Sequence, residues 1–380
     1  MSRPIPAARI AAAAFEVLES RRLLSASVSL NGTTLSVAGD DRANSISVIQ
    51  EGTNLVVRCD GKTRTYSADD VDVLVVDARG GNDRVVFQRA DDVDAVRIDG
   101  GSGNDDIEID VVHHPDGPDD ALHFSADVNG GSGHDNIELD VETNDAEDPN
   151  AVVPDDDKDD DNGNGDDSAE GKLDVNLKIG GGSGDDTIDA EVDLNAGDDG
   201  EVAANIDAGS GNDEVDFDVD GAEDDLDTDD ADTDDDDADD SETDDDPDGA
   251  NGGEVDVDVT AQVSGGSGAN DVDVQIGTDP GGEHNTGDLV VDVRGGSSND
   301  LLEVSLGGDL DQADHRPTVR ISGGSGDDQI GLTLVGTNVD FSKLKNAFKI
   351  DGGIGTDTYA TNVPTSALKL VSVERRVSSV

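Results

Sequence analysis

Tryptophan is absent from this 380-residue chain, aromatics make up 2% of it, and one cysteine and 24 basic residues stand against 92 acidic ones. Each scarcity closes something off. Aromatic side chains carry the largest buried areas, so a thick globular core is not expected. The lone Cys59 rules out a disulfide framework within the chain and reads as a half-buried strand residue. A formal net charge of −68 excludes nucleic acid as a partner, because phosphates need clustered Lys and Arg. It also opposes anionic membrane surfaces and favours cations. No apolar run reaches the roughly 18 residues of a membrane-spanning helix.

What the chain has is one turn, repeated. Nine copies begin at Val76 (VDARGGNDRV), Ile98 (IDGGSGNDDI), Val128 (VNGGSGHDNI), Ile179 (IGGGSGDDTI), Ile206 (IDAGSGNDEV), Val263 (VSGGSGANDV), Val293 (VRGGSSNDLL), Ile321 (ISGGSGDDQI) and Ile350 (IDGGIGTDTY), with a worn tenth at Val37 (VAGDDRANSI). Their starts are 22, 30, 51, 27, 57, 30, 28 and 29 residues apart. A fixed period of this size signals a stacked architecture. The two long intervals contain low-complexity acidic insertions, 141–171 and 221–252; Glu223 to Asp248 alone holds eighteen acids and no base. Such like-charge blocks are expected to be disordered and solvated. Both fall midway between turns, so each coil is expected to have one fixed corner and one that varies in length.

Around the turns, apolar and polar residues alternate, as in Leu173-Asp-Val175-Asn-Leu177-Lys-Ile179 before a turn and Val215-Asp-Phe217-Asp-Val219 after one. Period two places aliphatics on one face of a strand and acids on the other. The fold expected is all-β: a parallel β-roll or β-solenoid of nine to ten coils of roughly 28–30 residues. It covers 28–375, with irregular starting strands over 28–75, a closing strand over Leu368 to Val373 and a tail at 376–380.

The turn itself points to a cation. Glycines allow positive φ and let carbonyls turn inward, and a carboxylate follows at the sixth position: Asp83, Asp105, Asp135, Asp186, Asp213, Asp300, Asp328 and Asp357. Stacked about 5 Å apart, two carboxylates repel by about 0.8 kcal/mol in water and about 3 kcal/mol at an effective dielectric of 20. A hard cation held by carboxylate and carbonyl oxygens reverses that sign, and an oxygen-only donor set describes calcium better than magnesium or zinc. The candidate ligands are those aspartates, with Asp271 in the copy where Asn270 replaces the sixth residue. Carbonyls come from Gly101, Gly103, Gly131, Gly133, Gly182, Gly184, Gly209, Gly211, Gly296, Gly324, Gly326, Gly353 and Gly355.

GGSGNDDIEI, GGSGDDTID and GGSGDDQIG resemble the GGxGxDxUx nonapeptide of the RTX (repeats-in-toxin, hemolysin-type) calcium-binding proteins. The resemblance implies a parallel β-roll in which stacked turns hold Ca²⁺ through these aspartates and glycine carbonyls. Family motifs run in tandem every nine residues and fill both corners of a coil. Here they stand singly, which implies one calcium column. Asn270, Ser298 and Ala78-Arg79 depart from the pattern.

The first 27 residues differ from the rest, being Ala-rich with Arg3, Arg9, Arg21 and Arg22 and no Asp. LESRRLLSA (Leu18 to Ala26) is similar to the LEPR-XLL signature of exported bacterial proteins, with Ser20 in place of Pro. The expectation is a targeting segment, with an amphipathic helix as the alternative, and a secreted or cell-surface location where cell-surface or matrix components would be partners.

Other motifs carry less. Asp160 to Gly165 matches part of an EF-hand loop but lacks its twelfth-position Glu, and it reads as a solvated linker. His113, His114, His123 and His134 crowd one repeat without paired spacing. No nucleophile triad or phosphate loop stands out, so the chain is read as non-enzymatic. A polysaccharide-acting β-helix enzyme and a polyanionic spacer are the alternatives.

Overall fold

A computed structural model describes residues 26–89, 93–113, 121–143, 172–194, 199–221, 256–277, 287–308, 310, 317–335 and 339–377. The expected fold is what these residues form. Two long sheets, of twelve and thirteen strands, run side by side, and successive coils add one strand to each. Strands that lead into the glycine turns form the first, inbound sheet; strands that leave them form the second, outbound sheet. Apart from the hairpins at the N-terminal end, neighbouring strands pair in parallel.

Alternation sets the register. In the inbound strand Lys172–Ser183, Leu173, Val175, Leu177 and Ile179 are buried while Lys172, Asp174, Asn176 and Lys178 face water. A slip of one residue would turn every aliphatic side chain outward. The pairing therefore stacks like on like. Val128, Ile179, Ile206, Val263, Val293, Ile321 and Ile350 form one interior column. Ile107, Ile137, Ile188, Val215, Val272, Leu302 and Ile330 form its counterpart across the core. Phe87, Phe124, Phe217 and Phe348 are among the largest fully buried side chains of the described residues.

The first coils are built differently. Ser27–Asn31 pairs antiparallel with Thr34–Ala38, and Ser45–Glu51, Asn54–Cys59 and Lys62–Ser67 form an antiparallel meander. Cys59 is fully buried there, not half-buried as expected, and burial pushes its thiol up to about 11. At the other end Leu368–Val371 and Arg375–Arg376 close the two sheets.

Every glycine turn joins an inbound to an outbound strand. The connections of variable length all return from outbound to inbound, as from Leu194 to Asp199, Thr143 to Lys172 and Gly221 to Asp256. The acidic stretches 144–171 and 222–255, the Asp160–Gly165 motif and residues 1–25 lie outside the described residues. No described helix is long and apolar enough to cross a membrane.

Candidate metal centre

Parallel pairing carries straight through the turns. Gly101, Gly131, Gly182 and Gly209 stand in register, as do Gly296, Gly324 and Gly353. The second and fourth turn glycines adopt left-handed φ, for example 108° at Gly131 and 136° at Gly133. A second constraint is steric. A Cβ on Gly131 would overlap the carbonyl of Gly101, and one on Gly133 the carbonyl of Gly103. The same relation repeats at Gly182, Gly184, Gly209, Gly211, Gly296, Gly324, Gly326, Gly353 and Gly355. Two turns take positive φ without glycine, at Arg79 (74°) and Ser298 (90°), at a cost of about 1–2 kcal/mol each.

Inside the corner the sixth-position side chains form a continuous ladder. The backbone N–H of Asn44 donates to Asp83 Oδ1 at 2.6 Å, that of Asp83 to Asp105 Oδ1 at 2.8 Å, and that of Asp105 to Asp135 Oδ1 at 2.8 Å. The run goes on through Asp186, Asp213, Asn270, Asp300, Asp328 and Asp357, each acceptor lying 2.9–3.1 Å from the amide of the preceding rung. Glu374 Oε2 closes it on the amide of Asp357, at 2.7 Å. All eight aspartates are at most 3% exposed. One expected ligand is out of place. Asn270, not Asp271, fills its rung; Asp271 opens the outbound strand Asp271–Ile276, with its side chain exposed. The amide oxygen of Asn accepts as a carboxylate does, so the ladder has no need to shift register.

Each aspartate uses one oxygen in the ladder. The other, Oδ2, is buried without a hydrogen-bond partner in Asp83, Asp105, Asp135, Asp186, Asp213, Asp300, Asp328 and Asp357. Its surroundings are oxygen-rich. A Cβ built on Gly100 would lie 2.7 Å from Asp105 Oδ2 and 2.6 Å from the carbonyl oxygen of Gly130 in the next coil. Gly130 shows the same pair, with Asp135 Oδ2 at 2.7 Å and Gly181 O at 2.8 Å. At Gly100, Gly130, Gly181, Gly295, Gly323 and Gly352 the first turn glycine thus makes room for a carboxylate oxygen and a carbonyl oxygen of the next coil; in two turns Ala78 and Ala208 take that position. Burial pushes Asp83, Asp135, Asp213 and Asp300 up to about 6 and raises Asp105, Asp186 and Asp328, against the pull of the N–H bond each accepts. Orphaned, desolvated oxygens of this kind call for a positive partner.

Among the described residues, no three Asp, Glu, His or Cys side chains gather into a metal-holding group. A cation here would rest on one rung's carboxylate and on main-chain carbonyls, a donor set that suits a hard ion and no soft one. The carbonyls that share the space at a first turn glycine with Oδ2 include those of Gly130 and Gly181, which are not among the carbonyls expected from the sequence. The three glycines of a Gly-Gly-x-Gly turn look alike in sequence; only the corner geometry separates them. Among the second glycines, Gly209 O and Gly266 O accept the N–H groups of Ser267 and Ser297 in the backbone ladder.

A second ladder, unforeseen, runs along the exposed side in the opposite sense. Asn104 N–H donates to Asn82 Oδ1, His134 N–H to Asn104 Oδ1, Asp185 N–H to His134 Nδ1 and Asn212 N–H to Asp185 Oδ1. It holds His134 in a structural role. His123 lies apart, on the outer inbound face 3.7 Å from Asp174, and His114 lies outside the described residues.

The outbound sheet presents acids in rows. Glu108, Glu138, Asp189, Asp216, Asp273 and Glu303 are neighbours across successive strands. Beside them run Asp110, Asp140, Glu191 and Asp218. Comparison of the chain with protein-family models, curated proteins and solved structures finds no match in any of the three.

Proposed function

We propose that this is an exported, non-enzymatic calcium-binding protein of structural or adhesive role, in which Ca²⁺ at the glycine corners couples metal binding to folding of the solenoid. The observation that carries the reading is the column of eight buried aspartates whose second oxygens lack partners, six of which share the space at a first turn glycine with a main-chain carbonyl of the next coil. The GGxGxD motif that resembles RTX repeats supports the choice of calcium, as does the all-oxygen donor set. In this reading Asp83, Asp105, Asp135, Asp186, Asp213, Asp300, Asp328 and Asp357 hold the ion through Oδ2, while Oδ1 keeps the ladder.

Bound calcium supplies the positive charge that lets stacked carboxylates remain ionised. The chain's own part is to exclude water, fix the carboxylates through the N–H bonds they accept and offer main-chain carbonyls at the first turn positions. Extracellular calcium modules work near 10⁻⁴–10⁻³ M. At millimolar calcium each site then adds roughly 0.5–1.5 kcal/mol by mass action, and eight together rival the net stability of a domain. Titration calorimetry of the full chain tests this: saturable binding of several calcium ions per chain is expected, with magnesium much weaker. Failure to bind calcium at millimolar concentration would overturn it.

A further inference from the structure

We infer that Asn270 is a rung that closes itself without a cation and divides the column into two separately loading segments, Asp83 to Asp213 and Asp300 to Asp357. The inference rests on the calcium reading above and says where calcium does not go. Asn270 keeps the ladder intact, with Oδ1 accepting from the Asp213 amide at 3.1 Å and its own N–H donating to Asp300 Oδ1 at 2.9 Å. Its second atom differs. Nδ2 donates to Gly268 O at 3.2 Å and to Gly295 O at 3.3 Å, so both amide hydrogens point at carbonyls.

This nitrogen stands where the aspartates put their unpartnered oxygen. A Cβ on Gly265 would lie 2.7 Å from Asn270 Nδ2, just as one on Gly100 would lie 2.7 Å from Asp105 Oδ2. The corner therefore presents carbonyl acceptors to whatever occupies that position. A primary amide meets them with its own donors, and no charge is left for a cation to neutralise.

On the exposed side of the same coil the outer position is Ala269, the one among the nine with no polar side chain, so neither ladder residue of this turn carries a carboxylate. The turn keeps its glycines, with Gly266 and Gly268 at φ 86° and 127°, and gives up only its charge. It does so in the part of the chain where charge is least relieved: no Lys or Arg occurs between Lys178 and Arg294. An uncharged rung there holds the two halves of the stack together before either is loaded.

The test counts calcium bound per chain, by calorimetry, in the wild type, Asn270→Asp and Asp300→Asn, and follows hydrogen exchange of the ladder amides in chelator. Asn270→Asp should bind one or two more ions than the wild type and lose protection at Asp213 and Asn270 when calcium is removed. Asp300→Asn should bind at least one fewer and gain protection around residue 300. Unchanged counts in a folded Asn270→Asp chain would overturn the inference. Should that variant fail to fold even with calcium, Asp300→Asn decides: an unchanged count or no gain in protection overturns it. A wild-type chain that binds no calcium overturns the calcium reading itself, a separate result from a wild type that binds calcium while its variants bind the same number.

Discussion

At the scale of single residues, turn glycines differ in what they tolerate. Gly133 has both a left-handed φ and the Gly103 carbonyl where a methyl would go. Gly133→Ala is expected to destabilise the chain by about 2–4 kcal/mol, combining strain and overlap. Gly180 has its nearest contact at 3.5 Å and no left-handed requirement, so Gly180→Ala should stay within about 0.5 kcal/mol. Chemical denaturation with calcium present separates the two, and equal losses would contradict the stacking geometry. The ladder makes a similar distinction. Asp135→Asn keeps the acceptor for the Asp105 amide, whereas Asp135→Ala leaves that buried N–H unsatisfied at a cost of about 1–3 kcal/mol. A larger loss in Asn than in Ala would count against the ladder.

At the scale of strands and sheets, the outbound face carries acids that resist ionisation. Burial, then neighbouring carboxylates, push Asp140 up to about 7, Asp218 to about 8, and Asp193 and Asp273 to about 6. These groups bind protons more tightly folded than unfolded, where an aspartate titrates near its ordinary value of about 3.9. Between about pH 8 and pH 4 the folded chain therefore holds more protons, and stability must rise as pH falls through that window. Denaturation midpoints in chelator should increase on acidification across it; a decrease would contradict the burial of this face. Added monovalent salt should also stabilise the chelated chain by screening the rows.

Much of this element scale was legible in the sequence. Period-two runs such as Leu173 to Ile179 fixed the strands and their buried face, and the nine-fold turn fixed the stacking. The direction of the sixth residue's side chain was legible only as a register. Its division of labour, Oδ1 on an amide and Oδ2 left without a partner, depends on contacts between coils that lie 22 to 57 residues apart in the chain. Asp271 was misplaced for the same reason: sequence favours the nearest carboxylate, whereas the corner selects the position, which Asn270 fills. The outer ladder of Asn82, Asn104, His134 and Asp185 had a visible signal, amide and acid residues recurring just before the sixth position, yet its bonds run between coils.

At the scale of the whole molecule, sheet pairing does not rely on the long connections. Thr143 and Lys172 bound a connection of 28 residues, while Leu194 and Asp199 are joined through four. Replacing 144–171 with a short Gly/Ser linker should leave the strand content and calcium dependence of the stack in place, as read by circular dichroism. Loss of folding would mean that the acidic segment takes part in the core structure.

Calcium dependence of the strand signal bears most directly on the central claim, that cations neutralise an in-register column of buried aspartates. Far-ultraviolet circular dichroism of the full chain at pH 8, recorded in chelator and again with millimolar calcium, measures it. The prediction is a strand signal reduced in chelator, where the stack is only partly held, that rises cooperatively as calcium is added. A complete strand signal in chelator, unchanged by calcium, would contradict it.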